Sequence, residues 1–485
     1  MPSHITKILD FFEQLNAIPR CSGHEAQVRH WLQHWADGLG FESLADDGGN
    51  LVVRVPATEG HYGDPILILQ GHTDMVCEKT PDSKHDFSKD PIRSHMDQDW
   101  LTAGDTTLGA DNGIAIAYMM ALAEDGDVIR PPLELLFTVD EESGLNGAKL
   151  LRPDFVKGKT MINLDSEDEG VFTIGCAGGV DTTLTRTMRF EPVPRDHQAH
   201  CLLVGGLKGG HSGIDIDKHR ANANKVLARA LERISGTCAV RIGSLHGGTR
   251  HNAIPRDART TIWIPSSEAT FVREAVKAVE SMVRSEYAAT DQEIFIRLIA
   301  DDEGDNLLEA LTPEETRHAI RMLLALPNGV AGMASEFEGT VETSCNLATV
   351  NLTDGRLSIL VSQRSSVMSL LEELRATVHS LAALSGAEVQ DANDYPPWQP
   401  DTESSVLKRS ISVYRRMFDR PPEIRVIHAG LECAVIGDIY SGMDMISFGP
   451  TLENAHAPGE RLLVPSVEAV WKFLVAAVEE LASAG

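Results

Sequence analysis

Basic residues are scarce in this sequence. Its 485 residues include 43 lysines and arginines but 71 aspartates and glutamates, so the formal net charge is −28. A surface of that sign repels phosphate backbones and anionic lipid headgroups. The composition therefore argues against nucleic acid as a partner and favours an abundant cytosolic protein that its own charge keeps soluble.

Paired cysteines and long apolar runs are also lacking. The seven cysteines form no C-x-x-C pair, and their odd number argues against a full disulfide framework, so a reducing compartment is predicted. No stretch approaches the roughly 18 uninterrupted apolar residues that a membrane span needs. The start MPSHITKILDFFEQL lacks a signal peptide's regions. Its apolar residues recur at helical spacing instead, at Ile5, Ile8, Leu9, Phe12 and Leu15. A cytoplasmic protein with an amphipathic first helix and no membrane partner is predicted.

Apolar residues are present in ordinary globular proportion, 42% against 24% charged residues, and the length predicts two or three domains. In the first part, the strand-like runs NLVVRVP, DPILILQGHTDMV and LELLFTVDEESG alternate with helical segments, which predicts an α/β layer with a partly parallel sheet. An α+β pattern follows, and α/β character then returns. We predict an α/β domain in two pieces, residues 1–184 and 395–485, with an α+β domain inserted at residues 185–394.

The inserted segment contains two similar sets of elements. The first set comprises LLVGGLKGGHSG, NANKVLARALERI, CAVRIGSLHGG and TTIWIP. The second comprises IFIRLIA, a helix near Pro313 to Leu326, VNLTDGRLSILVSQRSS and a helix from Ser369. No residue-level repeat is visible, but the matching order of elements predicts a doubled unit.

Histidines and carboxylates follow several of the predicted strands. His72 and Asp74 end an apolar strand in GHTD, and Asp111 begins a long apolar helix in LGADNGIA. Taken singly, a structural histidine and an aspartate helix cap are the simpler interpretations. Asp74 is too close to His72 to be assumed a metal ligand, and a carboxylate that orients the imidazole is the better hypothesis.

Three further positions complete the pattern. The run Asp140-Glu141-Glu142 follows the strand LELLFTV, Asp165 ends MINLD, and His456 lies after the strand MDMISF. Such acids are also common on solvated turns. Together, however, two imidazoles and three carboxylates at strand ends form a nitrogen and oxygen ligand set suited to zinc, with manganese or cobalt as alternatives: His72, Asp111, Glu142, Asp165 and His456.

These stretches carry a resemblance to a known family. IPRCSGHE, LQGHTDMV, LGADNGIA, DEESG, INLDSED, GGHSG, GGTRHNAIP, HAGLEC and GPTLENAHAPGE occur in family order over nearly the whole chain. The sequence resembles the co-catalytic zinc peptidases that include glutamate carboxypeptidase, succinyl-diaminopimelate desuccinylase and carnosinase, and within them the aminoacyl-histidine dipeptidase family. Ala434, Ala457 and Gly459 stand where Gly, Ser and Asp are expected, and they leave the ligands intact.

The resemblance implies a two-piece catalytic domain of the zinc-exopeptidase type with an inserted lid. It implies that His72 and Asp165 hold one zinc ion, that Glu142 and His456 hold the other, and that Asp111 bridges both. Glu141 would act as general base on a zinc-bridged water, and Asp74 would orient His72.

The inserted lid carries its own candidates. His211 in GGHSG resembles the lid histidine that stabilises the tetrahedral oxyanion. Asn252 and Arg364 resemble residues that hold the substrate, Arg364 through a bidentate contact with its carboxylate, and His428 is a further candidate. A loop turn for His211 and a surface charge for Arg364 are the simpler alternatives. A homodimer is also implied, unless the second half of the lid replaces a partner's lid.

The predicted function is hydrolysis of unblocked dipeptides, preferentially Xaa-His peptides such as carnosine. The alternative within the same chemistry is a zinc-dependent deacylase of N-acyl amino acids. A non-enzymatic alternative is a metal-free binding or scaffold protein, which should have lost ligands or the base; all of them are present.

Overall fold

The computed structural model describes residues 4–301 and 309–482. Over these residues the chain forms two compact units. Of the described residues, unit 1 contains 4–176, 398–426 and 431–482, and unit 2 contains 177–301, 309–397 and 427–430. The first piece of unit 1 contains α1 (His4–Asn16), α2 (Ala26–Gly38), β1 (Glu42–Ala45), β2 (Leu51–Val55), β3 (Leu67–His72), β4 (His95–Asp97), β5 (Trp100–Thr102), α3 (Ala110–Ala123), β6 (Leu133–Thr138), α4 (Asn146–Lys149), β7 (Thr160–Asn163) and β8 (Val171–Cys176).

Unit 2 holds β9 to β21 and α5 to α8. Its elements are β9 (Gly178–Thr187), β10 (Phe190–Pro192), β11 (His197–Gly205), β12 (Gly210–His211), α5 (Ala223–Ser235), β13 (Arg241–Gly247), β14 (Ala253–Ile254), β15 (Ala258–Pro265), α6 (Ala269–Glu286), β16 (Phe295–Ala300), β17 (Glu309–Leu311), α7 (Pro313–Ala325), β18 (Gly329–Met333), β19 (Val341–Thr353), β20 (Arg356–Ser365), α8 (Met368–Ser385) and β21 (Glu388–Tyr395). Unit 1 then resumes with α9 (Ser405–Phe418), β22 (Glu423–Ile427), α10 (Glu432–Ile439), β23 (Asp444–Ser447), β24 (Leu452–Glu453), β25 (Arg461–Leu463) and α11 (Val464–Ala482).

Unit 1 is built on a mixed sheet of strand order β1-β2-β6-β3-β7-β23-β8-β22. Four neighbouring strands, β6, β3, β7 and β23, run parallel to one another. The central strands LILQGH and LELLFT are buried along their whole length, as expected of parallel strands that are covered on both faces. Helix α3 is likewise buried on every side, because its residues are almost all apolar.

Unit 2 is an antiparallel sheet of order β16-β11-β15-β13-β19-β20-β9-β21. Each half follows the chain order strand, helix, strand, strand, helix, strand: β11, α5, β13, β15, α6, β16 in one half, and β9, α7, β19, β20, α8, β21 in the other. Within each half the strands lie in the spatial order fourth, first, third, second, and the two second strands, β13 and β19, pair at the centre. The predicted doubling is therefore confirmed.

One detail of the predicted doubling is wrong. The run IFIRLIA, assigned from the sequence to the second set, is β16 and pairs with β11 as the last strand of the first half. The second half takes its first strand from β9, which precedes the whole first half in the sequence. One half is thus inserted into the other, and the apolar sides of α5 to α8 share one core with the sheet.

Two global features complete the description. Cys21 and Cys77 form a disulfide across 56 residues of sequence, a pair that the cysteine spacing does not predict. Over residues 4–301 and 309–482, no helix combines the length and apolar character required to span a bilayer.

Candidate metal centre

The parallel strands of unit 1 place the predicted ligands together. Since β6, β3, β7 and β23 run in the same direction, the residues that follow them meet at one edge of the sheet. His72 is the last residue of β3, Glu142 follows β6, Asp165 follows β7, and His456 follows β23. Asp111 lies at the start of α3 but is not its cap, because its backbone is non-helical and Gly109 occupies the cap position.

Asp111 is shared between two groups of side chains. Its Oδ1 lies 3.1 Å from Nε2 of His72, which is itself 3.5 Å from Oδ1 of Asp165. Its Oδ2 lies 2.9 Å from Nε2 of His456, which is 3.0 Å from Oε2 of Glu142. In each group, the three ligand atoms lie within 4.8 Å of one another. The structure thus brings all five predicted ligands into two adjacent groups joined by one carboxylate.

Asp74 connects the first group with the acids after β6. Its Oδ1 lies 3.3 Å from Nδ1 of His72 and accepts a hydrogen bond from the backbone N–H of Glu141. Its Oδ2 accepts hydrogen bonds from the backbone N–H of Glu142 and from the hydroxyl of Ser22. Burial alone would raise the pKa of Asp74, but these hydrogen bonds and the charge on His72 lower it to about 2. The carboxylate is therefore ionised and fixes both the imidazole and the turn that carries Glu141.

Burial also acts to raise the pKa of Asp111, but hydrogen bonds from His456 and His72 outweigh it and lower that pKa. For the two glutamates that follow β6, burial prevails. It raises the pKa of Glu142 to about 7, with repulsion from Asp111 adding to the effect. It also raises the pKa of Glu141 well above its ordinary value, where the neighbouring carboxylates Asp165 and Glu142 contribute. Hydrogen bonds to Asp111 and Glu142 raise the pKa of His456 to about 11. The centre therefore concentrates negative charge that a cation would offset.

Two residues that the sequence did not single out as ligands support this edge of the sheet. The side-chain Oδ1 of Asn112 accepts the backbone N–H of His72, and its Nδ2 donates to the carbonyl of Leu164 beside Asp165. Glu432, fully buried at the start of α10, accepts hydrogen bonds from Gln70 and Thr138, and burial raises its pKa to about 8. Asn112 follows Asp111 directly, so its position beside a ligand was the available signal.

The lid candidates lie in unit 2. Nδ1 of His211 accepts the backbone N–H groups of Gly213 and Ile214, which places the ring proton of the neutral imidazole on Nε2. Asn252 lies one residue before β14, whose Ala253 pairs with His211. Its backbone carbonyl accepts the N–H of Ser212.

Arg364 and His428 form a buried polar cluster in the same unit. Nη1 of Arg364 donates to the hydroxyl of Tyr395 over 2.7 Å, while its Nε is buried without a partner. Nε2 of His428 lies 2.7 Å from the hydroxyl of Ser344. Burial, together with the charges of Arg364 and His211, lowers the pKa of His428 to about 3. Arg364 is therefore no surface charge, and this part of unit 2 presents a buried cation beside a neutral imidazole.

The donor atoms of this centre are of the kinds that bind divalent cations. Two imidazole nitrogens and three carboxylates are a set that zinc accepts, and one carboxylate oxygen, Oε1 of Glu142, is buried without a hydrogen-bond partner. A buried acceptor without a partner is costly unless a ligand satisfies it.

The stability of the metal-free protein should fall as the pH rises from about 5 to 8. Glu142 and Glu432 give up their protons near pH 4.5 in the unfolded chain but only at about 7 and 8 when folded, so the folded state binds more protons across this window. The elevated pKa of His456 acts in the same direction above pH 6.5. Thermal unfolding of chelated protein at several pH values measures the decline. Added zinc should reduce it, since a cation offsets the carboxylate charge; equal slopes with and without zinc would contradict the assignment.

Comparisons with known proteins agree with this geometry. Residues 204–291 match the peptidase dimerisation domain of the M20 family. The chain is 38% identical over 474 residues to the cytosol non-specific dipeptidase of Escherichia coli strain K12, covering 97% of each chain. The crystal structure of aminoacylhistidine dipeptidase from Vibrio alginolyticus superposes with a TM-score of 0.87 at 35% identity, covering 99% of this chain and 96% of that one. Aminopeptidase PepT from Bacillus cereus shares the fold, with a TM-score of 0.57 at 18% identity.

Fold and site together define a metal-dependent peptidase. The chain belongs to the M20 metallopeptidase family and, within it, to the dipeptidase family that the Escherichia coli and Vibrio alginolyticus proteins represent. The predicted fold class, enzyme class and family resemblance are confirmed.

Proposed function

We propose that this protein hydrolyses unblocked dipeptides, preferentially Xaa-His peptides such as carnosine, with two zinc ions at the centre in unit 1. The observation that carries the proposal is Asp111, whose two carboxylate oxygens each face a separate pair of one histidine and one carboxylate. The choice of substrate is supported by the relatives, one named for non-specific dipeptides and one for aminoacyl-histidine.

We assign His72 and Asp165 to one zinc ion, Glu142 and His456 to the other, and Asp111 to both. Manganese or cobalt would suit the same donors. When bound, the cations supply Lewis acidity that polarises the scissile carbonyl and lowers the pKa of water. The protein's own contribution is to hold these donors rigidly, which Asp74 does for His72 and Asn112 does for the end of β3.

Glu141 is assigned as general base. Its carboxylate takes a proton from the attacking water and delivers it to the nitrogen of the leaving amine. The backbone of Glu141 is fixed by Asp74 through a 3.1 Å hydrogen bond, so the base is held relative to the imidazole of His72. Glu141 must be unprotonated to act, and the cations favour that form against the effect of burial.

The lid residues bind and orient the substrate in this proposal. His211 donates from Nε2 to the oxyanion of the tetrahedral intermediate, in keeping with a ring whose Nδ1 already accepts backbone N–H groups. Arg364 binds the terminal carboxylate, for which its buried Nε is a ready donor. Asn252 and His428 also contact the bound substrate. In this proposal the lid is the domain predicted at residues 185–394. The catalytic domain is formed by residues 1–184 and 395–485.

Two further proposals concern the state of the protein. We propose a homodimer, supported by the match of residues 204–291 to a peptidase dimerisation domain. We propose a cytoplasmic location, in line with the relative named for the cytosol.

The deciding experiment compares free and N-acetylated dipeptides. Metal-free protein is titrated with zinc and assayed on carnosine, alanyl-histidine, a dipeptide without histidine, and the acetylated form of each. Zinc-dependent cleavage of the free forms alone is expected, with faster cleavage of the Xaa-His peptides. Cleavage of the acetylated forms alone would make the enzyme a deacylase, and no cleavage with or without zinc would favour a scaffold.

A further inference from the structure

Glu460 is a buried carboxylate in the loop that carries His456. It is 2% exposed, and its two oxygens accept four consecutive backbone N–H groups. Oε2 accepts from Leu108 at 2.6 Å and Gly109 at 2.9 Å, and Oε1 accepts from Ala110 at 2.8 Å and Asp111 at 3.2 Å. One side chain, 350 residues further along the chain, therefore accepts all four N–H groups of the backbone that ends at Asp111.

Arg20 holds the same backbone from the opposite side of the peptide. Its guanidinium is 1% exposed and donates to the carbonyl of Gly109 and to the side chain of Asn16. It also donates to the carbonyls of Thr73 and Asp74, at 3.2 and 3.1 Å. Arg20 thus connects the turn after His72 with the turn before Asp111. Burial lowers the pKa of Arg20 to about 10, and the charge of Glu460 opposes the shift, so the guanidinium is a cation at neutral pH.

The glycines of LGADNG are explained by this arrangement. A Cβ atom at Gly109, which has a φ of +71°, would lie 2.4 Å from Nη2 of Arg20, and one at Gly113 would lie 2.7 Å from the same atom. Neither position accepts a side chain without moving the guanidinium. The close approach of Arg20 to residues 109–113 is therefore built into the sequence at both glycines.

We propose that Glu460 and Arg20 act as a pair of positioning residues that hold residues 108–111 so that each oxygen of Asp111 faces its own metal subsite. This inference rests on the bridging role proposed for Asp111. Neither residue touches the substrate; each acts through the backbone of Asp111, and Arg20 also through the turn that carries Asp74.

A carboxylate is required at position 460 because four N–H groups point at it. Glutamine would keep one acceptor oxygen and turn an NH₂ group toward two N–H groups, leaving buried donors without partners. Whichever way the amide rotates, its NH₂ faces either Leu108 and Gly109 or Ala110 and Asp111, so the backbone that carries Asp111 loses two of its four contacts. Supporting contacts behind metal ligands typically change metal affinity by about 10- to 100-fold.

The test measures zinc binding by metal-free Glu460→Gln with a competing chelating indicator. We expect affinity to fall by about 10- to 100-fold. With zinc replaced by cobalt, the absorption spectrum should change, because the ligand field depends on the position of Asp111. At saturating metal, kcat should fall while KM for the dipeptide stays near the wild-type value.

Glu134→Gln is the matched control. Glu134 is also a buried carboxylate of unit 1 that accepts two backbone N–H groups, from Lys157 and Gly158, but it lies outside the metal groups. Both variants should lose thermal stability, and only Glu460→Gln should lose zinc affinity. Arg20→Lys, which keeps the charge and loses the planar fork, gives a second measurement if the Glu460 variant fails to fold, and it should also bind zinc less tightly.

Two failures are distinguishable. Wild-type zinc affinity and an unchanged cobalt spectrum in folded Glu460→Gln, or in folded Arg20→Lys where the Glu460 variant does not fold, would overturn the positioning role. Absence of zinc binding by the wild-type protein, or unchanged binding by Asp111→Asn, would instead overturn the proposed metal centre on which this inference rests.

Discussion

Glu141→Gln should lower kcat by about 10²- to 10⁴-fold while leaving two zinc ions bound. Glutamine keeps the size of the side chain and its hydrogen-bonding capacity, but it cannot accept a proton from water at neutral pH. The backbone N–H of residue 141 still donates to Asp74, so the turn should stay in place. Steady-state kinetics on a dipeptide, together with metal analysis of the purified variant, measure both parts of the prediction.

The neighbouring variant Glu142→Gln is the control for this experiment. Oε2 of Glu142 lies 3.0 Å from His456, so its loss should reduce metal content as well as rate. Glu141 also forms a group with His72 and Glu142 whose possible ligand atoms lie within 4.8 Å of one another, which makes a ligand role the direct alternative to a base. Reduced zinc content in Glu141→Gln, matching that of Glu142→Gln, would identify Glu141 as a ligand and contradict its role as base.

Most residues of the candidate centre could be predicted because parallel strands bring residues that are far apart in sequence to the same edge of the sheet. His72 ends a buried parallel strand, and Glu142, Asp165 and His456 lie after other parallel strands of the same sheet. Parallel strands end at one edge of a sheet. The residues could therefore be grouped from the apolar runs before them. The apolar runs could not show which of these side chains lie in the same group. That depends on which group each of the two carboxylate oxygens of Asp111 faces.

The supporting contacts were not predictable from the same signals. Arg20 in IPRCSGHE and Glu460 in HAPGE are single charges in loops, where solvated side chains are the usual interpretation. Their function depends on backbone groups more than 50 and 340 residues away, to which local sequence patterns carry no information. Both residues lie in stretches that carry the family resemblance. The resemblance therefore indicated that these positions matter, although their chemistry alone did not.

The arrangement of unit 2 shows a similar limit. Several helices and strands of the doubled unit were predicted from local patterns; the predicted helix near Pro313 is α7, for example, with Thr312 as its cap and proline in its first turn. Strand pairing, in contrast, is decided by long-range contacts. The strand β16 was assigned to the second half, although it is the last strand of the first half in sequence. Only the register of β16 with β11 and of β9 with β20 settles which strands belong to each half.

Asp111→Asn should reduce bound zinc from two ions to one or none and lower kcat by more than about 100-fold, the upper value for losing a supporting contact. The reason is geometric. Oδ1 faces His72 and Asp165 while Oδ2 faces His456 and Glu142, so an amide must turn its NH₂ toward one of the two groups whichever way it rotates. The group that receives the NH₂ loses a ligand and gains a donor that repels a cation.

Metal content by elemental analysis and stoichiometry by calorimetry measure this loss, with Asp291→Asn as the control. Asp291 is a similarly buried aspartate in unit 2 whose carboxylate accepts the backbone N–H groups of Lys208 and Ala221, so its replacement should cost stability without changing the zinc count. Two zinc ions bound with wild-type affinity by Asp111→Asn would show that the carboxylate is not shared, and each histidine and carboxylate pair would then need a different third donor.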